Sequence, residues 1–200
     1  MARRTVRLAV TVAAAALAVT GLSSSALADT ATTTTAPAGN LVVNESTTFL
    51  QNAANAGIVA LALPTATPGY SATTGFNATF PVTGGTADLA AFNGSVQLGG
   101  GLLLVNINTG ATVVFTNLTF DASHYAVEGT PLGQTTPVKL LDTVRVTVTK
   151  DATTGTQTLN SAFLALDTQG AAYADTTLNT TFFTAHANVG TAVLTYTPAG

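Results

Sequence analysis

Residues 102–120 read LLLVNINTGATVVFTNLTF. Leu102 to Val105 is a continuous apolar run that carries on into Asn106-Ile107-Asn108, the pattern of a buried strand. Asn108-Thr109-Gly110 then supplies residues that tolerate the backbone of a tight turn. Ala111 to Phe120 returns as a second apolar-rich stretch. The segment therefore reads as a β-hairpin.

The same signal spreads outward. Phe76, Ala78, Phe80 and Val82 alternate with Asn77, Thr79 and Pro81, a period of two that puts one face in a core. Pro81 has no N–H, which puts that strand end at an edge or on its way out of the sheet. Phe92, Gly94, Val96 and Leu98 alternate likewise. Val144, Val146 and Val148 alternate with Arg145, Thr147 and Thr149, and Asp151 to Gly155 turns the chain into Thr156 to Leu166 as a second hairpin. Val189 to Thr197 is a closing strand. One segment departs from this pattern. Asp167 or Thr168 is placed to cap a short helix through Ala171, Ala172, Tyr173 and Leu178, with Gly170 weakening it. The expected fold is all-β: a β-sandwich or barrel-like sandwich of antiparallel strands, with one short helix near 168–179.

Residues 1–28 read as an export signal. Arg3, Arg4 and Arg7 form a positive start, Leu8 to Leu22 is an uncharged apolar run, and Ala26-Leu27-Ala28 is a small-x-small cleavage pattern. Thr5-Val6-Arg7 lacks the apolar residue that usually follows a twin-arginine pair, which favours the general secretory route. Residues 29–39 (DTATTTTAPAG) form a Thr-rich spacer without apolar periodicity, expected to be disordered. Residues 40–197 form a single domain, expected to be secreted or associated with the cell envelope. No later run is long and apolar enough for a membrane-spanning helix.

Composition narrows the function. Beyond residue 28 only Lys139, Arg145 and Lys150 are basic, against nine acids, a net charge of −6. Nucleic acid needs clustered Lys and Arg, so it is excluded as a partner, and so is anchoring to anionic lipid. The chain has no cysteine, so core and sheet alone hold it together. With 8% charged residues and 40 threonines, its surface is neutral and suited to pleated sheet.

Recognisable chemistry is sparse. No nucleophile elbow, phosphate loop or His-Glu-x-x-His occurs. Asp121-Ala-Ser-His124 has the residue types of a metal pair, but on a strand a spacing of three sends the two side chains to opposite faces. Ser123 and His124, as strand neighbours, point apart. Glu45, Glu128, Asp121, Asp142 and Asp167 are available as carboxylates, with no two in an arrangement suited to glycoside cleavage. Asn44, Asn77, Asn93, Asn117 and Asn179 begin Asn-x-Ser/Thr triplets, as expected in so Thr-rich a chain. Tyr70, Tyr125, Tyr173, Tyr196, His124 and His186 are the residues able to ligate haem iron.

Phe80-Pro81-Val82-Thr83-Gly84-Gly85, then Phe92-Asn93-Gly94-Ser95-Val96-Gln97-Leu98-Gly99-Gly100-Gly101-Leu102, and finally Val189-Gly190-Thr191-Ala192 follow one another in order. This succession resembles secreted actinobacterial β-domains related to the haem-transport-associated (HtaA) domain, over about residues 75–197. The resemblance implies paired strands, a short Leu/Ala helix and a closing Gly-Thr-Ala strand. Relatives often carry His before the Gly-Gly pair, where this chain has Gln97 and Leu98, and the usual Trp is missing from Gly57 to Leu63. The resemblance thus implies the family's fold without its haem ligands.

The leading expectation is an exported, non-catalytic structural or interaction domain, without a cofactor, that meets a protein or cell-wall partner through strand edges or apolar loops. The alternative is an HtaA-like module binding haem or another apolar ligand, with His124 and Tyr125 as candidate ligands. No catalytic or metal-binding residue is assigned.

Overall fold

A computed structural model describes residues 35–200. The stretch read as an export signal and most of the stretch read as a spacer lie outside the described residues. Eight antiparallel strands close into a barrel: β1 (Ala38–Glu45), β4 (Gly75–Asp88), β5 (Asn93–Leu98), β7 (Thr112–Asp121), β8 (Ala126–Pro131), β9 (Val138–Lys150), β10 (Gln157–Leu166) and β11 (Asn188–Thr197). Around the barrel the order is β7-β5-β4-β1-β11-β10-β9-β8, and β8 pairs back with β7. β1 begins at Ala38, two residues inside the stretch read as spacer, and Gly39 already faces Tyr196 across the ladder.

The closure corrects the expected sandwich. A sandwich leaves unpaired edges on each sheet. Here β7 holds β5 on one side and β8 on the other. Period-two alternation shows which face of a strand is buried, but not whether the first and last strands meet. Irregular steps help the wall to bend. The register shifts between Thr116 and Thr119 of β7, where Asn117 has φ 48°, and between Val82 and Gly84 of β4. Gly85, at φ +98°, lies so close to Ser95 that a Cβ would sit 2.3 Å from the Ser95 carbonyl oxygen.

Three further strands widen one end. β5 is short, so its pairing with β4 covers only Val82–Asp88. On the first half of β4 its place is taken by β3 (Thr67–Ser71), and on the first half of β7 by β6 (Gly101–Asn106). β2 (Ile58–Leu63) pairs along β6, and the turn after Leu63 leads from β2 into β3. One strand of wall is thereby exchanged for three. Pro81 falls at this exchange. It lies inside a barrel strand and faces Asn40 of β1, so it is neither at an outer edge nor outside the sheet. Its carbonyl accepts the Gly99 N–H, so its missing N–H falls on the same side, between the end of β3 pairing at Thr79 and the start of β5 pairing at Val82.

Among the described residues, two helices complete the fold. α2 (Thr168–Leu178) matches the expected helix, with the Asp167 carboxylate accepting the Gln169 N–H at 2.7 Å and Asn179 closing it in the left-handed conformation. Gly170 explains its own presence there. A Cβ would lie 2.8 Å from the Lys139 carbonyl oxygen, so glycine lets α2 rest on the β9 backbone. α1 (Thr47–Asn55) was not foreseen. It is capped by the Ser46 hydroxyl, which accepts the Phe49 N–H.

The end of the barrel opposite the wide one is sealed. Leu89 is fully buried, and its N–H donates to Gln157 Oε1 at 2.7 Å. The Tyr196 hydroxyl, also buried, donates to the Gly85 carbonyl and accepts the Ala87 N–H. The 85–92 segment thus forms a plug pinned to β10 and β11.

Candidate functional site

The wide end is hollow. A cavity of about 160 Å³ lies inside the barrel, bounded by Leu41 and Val43 of β1, Ala78 and Phe80 of β4, Ala60 and Ala62 of β2, Leu102 and Leu104 of β6, and Phe115 and Leu118 of β7. Phe49 and Leu50 of α1 and Gly170 and Ala174 of α2 also line it. The cavity arises where β5 gives way to β6, β2 and β3. Wall area grows there, while the alanines at 60, 62, 78 and 174 add little side-chain volume to fill the added space. Ala60 in the lining is exposed, so the space opens to solvent beside β2, and its volume and its aliphatic and aromatic walls suit a benzene-sized guest.

Glu45 is the one ionisable residue of that lining. It follows Leu41 and Val43 on the inward face of β1 and sits where β1 ends and α1 begins. It is half-buried, and burial pushes its carboxyl above the ordinary value of 4.5.

Neither His124 nor Tyr125 borders the cavity. Both follow β7 in the turn into β8. Tyr125, at φ 50°, belongs to the sealed end. Its hydroxyl donates to the Leu89 carbonyl at 2.5 Å, and its ring lies 4.7 Å from Phe92 and 6.3 Å from Phe120. Burial first, and then the Asp88 charge, raise the Tyr125 phenol above its usual range. The His124 side chain is 71% exposed and turned to Asp121, so the two candidates face different surroundings.

The opposite-face reading of Asp121 and His124 is corrected. β7 ends at Asp121, and the turn folds His124 Nδ1 back to 2.6 Å from Asp121 Oδ2. The Ser123 hydroxyl donates to Asp121 Oδ1 at 2.6 Å and lies 3.0 Å from His124 Nδ1. Burial works against ionisation of Asp121, but its bonds from Ser123 and His124 outweigh that and hold the carboxyl below its usual range. The three residues do not form a nucleophilic triad. Serine and aspartate share one ring nitrogen, whereas a triad needs them on opposite nitrogens. The cluster is a turn fastened by its own side chains.

The carboxylates also arrange themselves in a way sequence spacing did not show. Asp142 of β9 and Asp167, the cap of α2, both contact the Lys139 ammonium, at 2.6 and 3.4 Å. That lysine joins the helix start to the barrel wall and offsets one of the two carboxylate charges. The remaining haem-ligand candidates are dispersed. Tyr70 is exposed against Phe76, the Tyr173 hydroxyl accepts from Gln134, Tyr196 is inside the plug, and His186 lies in the loop before β11. Among the described residues, no three His, Asp or Glu side chains form a group able to hold a metal ion. The cavity went unseen in the sequence. Its available trace was the row of small alanines on strands that otherwise carry Leu, Val and Phe.

A comparison with protein-family models found no match, and a comparison with curated proteins found none either.

Proposed function

We propose that this chain is an exported, non-catalytic β-barrel module that holds a small apolar molecule in the wide end of its barrel. The observation that carries the reading is the 160 Å³ apolar cavity between strands and helices. A folded domain normally closes such a space, because an unfilled cavity costs about 24 cal/mol per Å³. Its retention, beside a sealed opposite end, supports a binding role. Haem draws no support from this geometry. The macrocycle exceeds a benzene-sized space, and His124 and Tyr125 lie away from it. The export reading rests on residues 1–28 and the HtaA-like reading on the residues quoted for it.

The test is a titration with benzene and 1-hexanol, followed by methyl NMR of Leu104, Leu118 and Val43. The expected result is saturable shifts confined to lining residues and a rise in melting temperature with ligand concentration. Unmoved methyls at saturating concentrations of both probes overturn the reading. Docking of a protein or cell-wall partner is a second reading. It is favoured by β2 (IVALAL), an uncharged strand with one unpaired edge and with Val59 and Leu61 exposed.

A further inference from the structure

Glu45 is short of a partner. Among the described residues its carboxylate takes part in no hydrogen bond or ion pair, and since no buried side-chain oxygen lacks a partner, it meets solvent at the rim of the apolar cavity. The surrounding elements offer no remedy. α1 (TTFLQNAAN), β2 (IVALAL), β11 (NVGTAVLTYT) and the Asn77–Pro81 half of β4 contain no charged residue at all. The three cations of the described chain are placed elsewhere. Lys139 is bound by Asp142 and Asp167, Lys150 reaches Asp88 at the sealed end, and Arg145 is exposed at a bend of β9. The rest of the cavity is hydrocarbon.

We propose that the cavity takes cationic amphiphiles: a protonated primary amine on a tail of about six carbons, with the ammonium seated on Glu45 and the tail among Leu41, Leu102, Leu104 and Phe115. This rests on the cavity reading above and names the ligand class for that site. The tail length follows from a space that accepts a benzene-sized guest. The head group follows from charge complementarity. An ammonium donates charge-assisted hydrogen bonds to the carboxylate and favours its ionised form. An alcohol of equal length gives one weaker bond, and a carboxylate sets like charges side by side.

The experiment compares hexylamine, 1-hexanol and hexanoate at pH 7.5, by calorimetry and lining-methyl NMR, on the purified protein and on Glu45→Gln. Hexylamine is expected to bind about tenfold more tightly than 1-hexanol, with hexanoate weakest. In Glu45→Gln the amine falls to within about threefold of the alcohol, because the amide oxygen still accepts from either head group but carries no charge. A parent protein that prefers 1-hexanol or hexanoate, or an amine preference that survives Glu45→Gln, overturns the head-group assignment while leaving the cavity reading intact. Failure of all three probes to move the lining methyls overturns both.

Discussion

Replacing Ala78 with leucine tests whether the hollow end is a true void. Ala78 lies on the inward face of β4, between Val43 of β1 and Pro68 of β3 in the ladder, and is 7% exposed. Its methyl group borders the cavity. At about 24 cal/mol per Å³, a fully enclosed void of 160 Å³ would forgo about 4 kcal/mol of packing, which is the upper bound for a space open beside β2. Leucine adds three methylene equivalents, about 2.4 kcal/mol of transfer free energy. Restricting its rotamers costs about 0.5–1 kcal/mol. The expected net effect of Ala78→Leu is stabilisation by about 1.5 kcal/mol, a rise in melting temperature of roughly 3–6 °C for a chain of this size. Calorimetry and a urea midpoint measure it, and the same variant is expected to lose 1-hexanol binding. The sign decides the matter. If the space were filled by ordinary packing, the added carbons would force strain, and the variant would lose about 1–3 kcal/mol. A destabilised Ala78→Leu that still binds 1-hexanol refutes the argument.

Two further perturbations follow from single side chains. Burial raises the Glu45 carboxyl in the folded protein, so the folded state holds a proton that the unfolded chain has already released. Ligand-free stability therefore falls as pH rises from about 4.5 through the raised folded value. Glu45→Gln removes that slope, leaving a variant more stable than the parent at pH 7.5 in urea titrations. A pH profile parallel to the parent's contradicts the assignment. Asp121 and Asp167, held low by their hydrogen bonds, give the opposite slope: their contribution is lost as pH falls below the usual carboxylate range in parent and variant alike. In the plug, Gln157→Leu keeps volume but removes the acceptor for the buried Leu89 N–H. A loss of about 1–3 kcal/mol is expected, with faster hydrogen exchange at the Leu89 amide; unchanged exchange there shows that Gln157 does not pin the plug.

Legibility in this chain followed the range of the interaction. The hairpins at 102–120 and 144–166, the strand at 189–197 and the Asp167-capped helix were readable because each is fixed by neighbours in sequence: a turn residue, an alternation, a cap. Closure was not readable, because the pairing of Phe120 with Val127 and of Val96 with Phe120 looks the same, side chain by side chain, in an open sheet as in a barrel. α1 was missed because Thr47 and Thr48 are β-branched and Asn52 and Asn55 favour turns, so local propensity there argued against the helix that Ser46 capping and the burial of Ala53 stabilise. The candidate site was the least legible part, for a related reason. Sequence reasoning searches for reactive residues and so offered His124 and Tyr125 for the alternative ligand-binding reading; in the structure they fasten a turn and a plug, away from the cavity. A binding cavity in a barrel is written instead in residues too small to fill it, and Ala60, Ala62, Ala78 and Ala174 become informative only once β1, β2, β4, β6, β7 and α2 are known to face the same space. Glu45 shows the same dependence. As one acid among nine it is unremarked, yet at the end of the row Leu41, Val43, Glu45 it is the lone charge on a hydrocarbon wall. The absence of any cation on the elements around it is what turns a scattered acid into a head-group site.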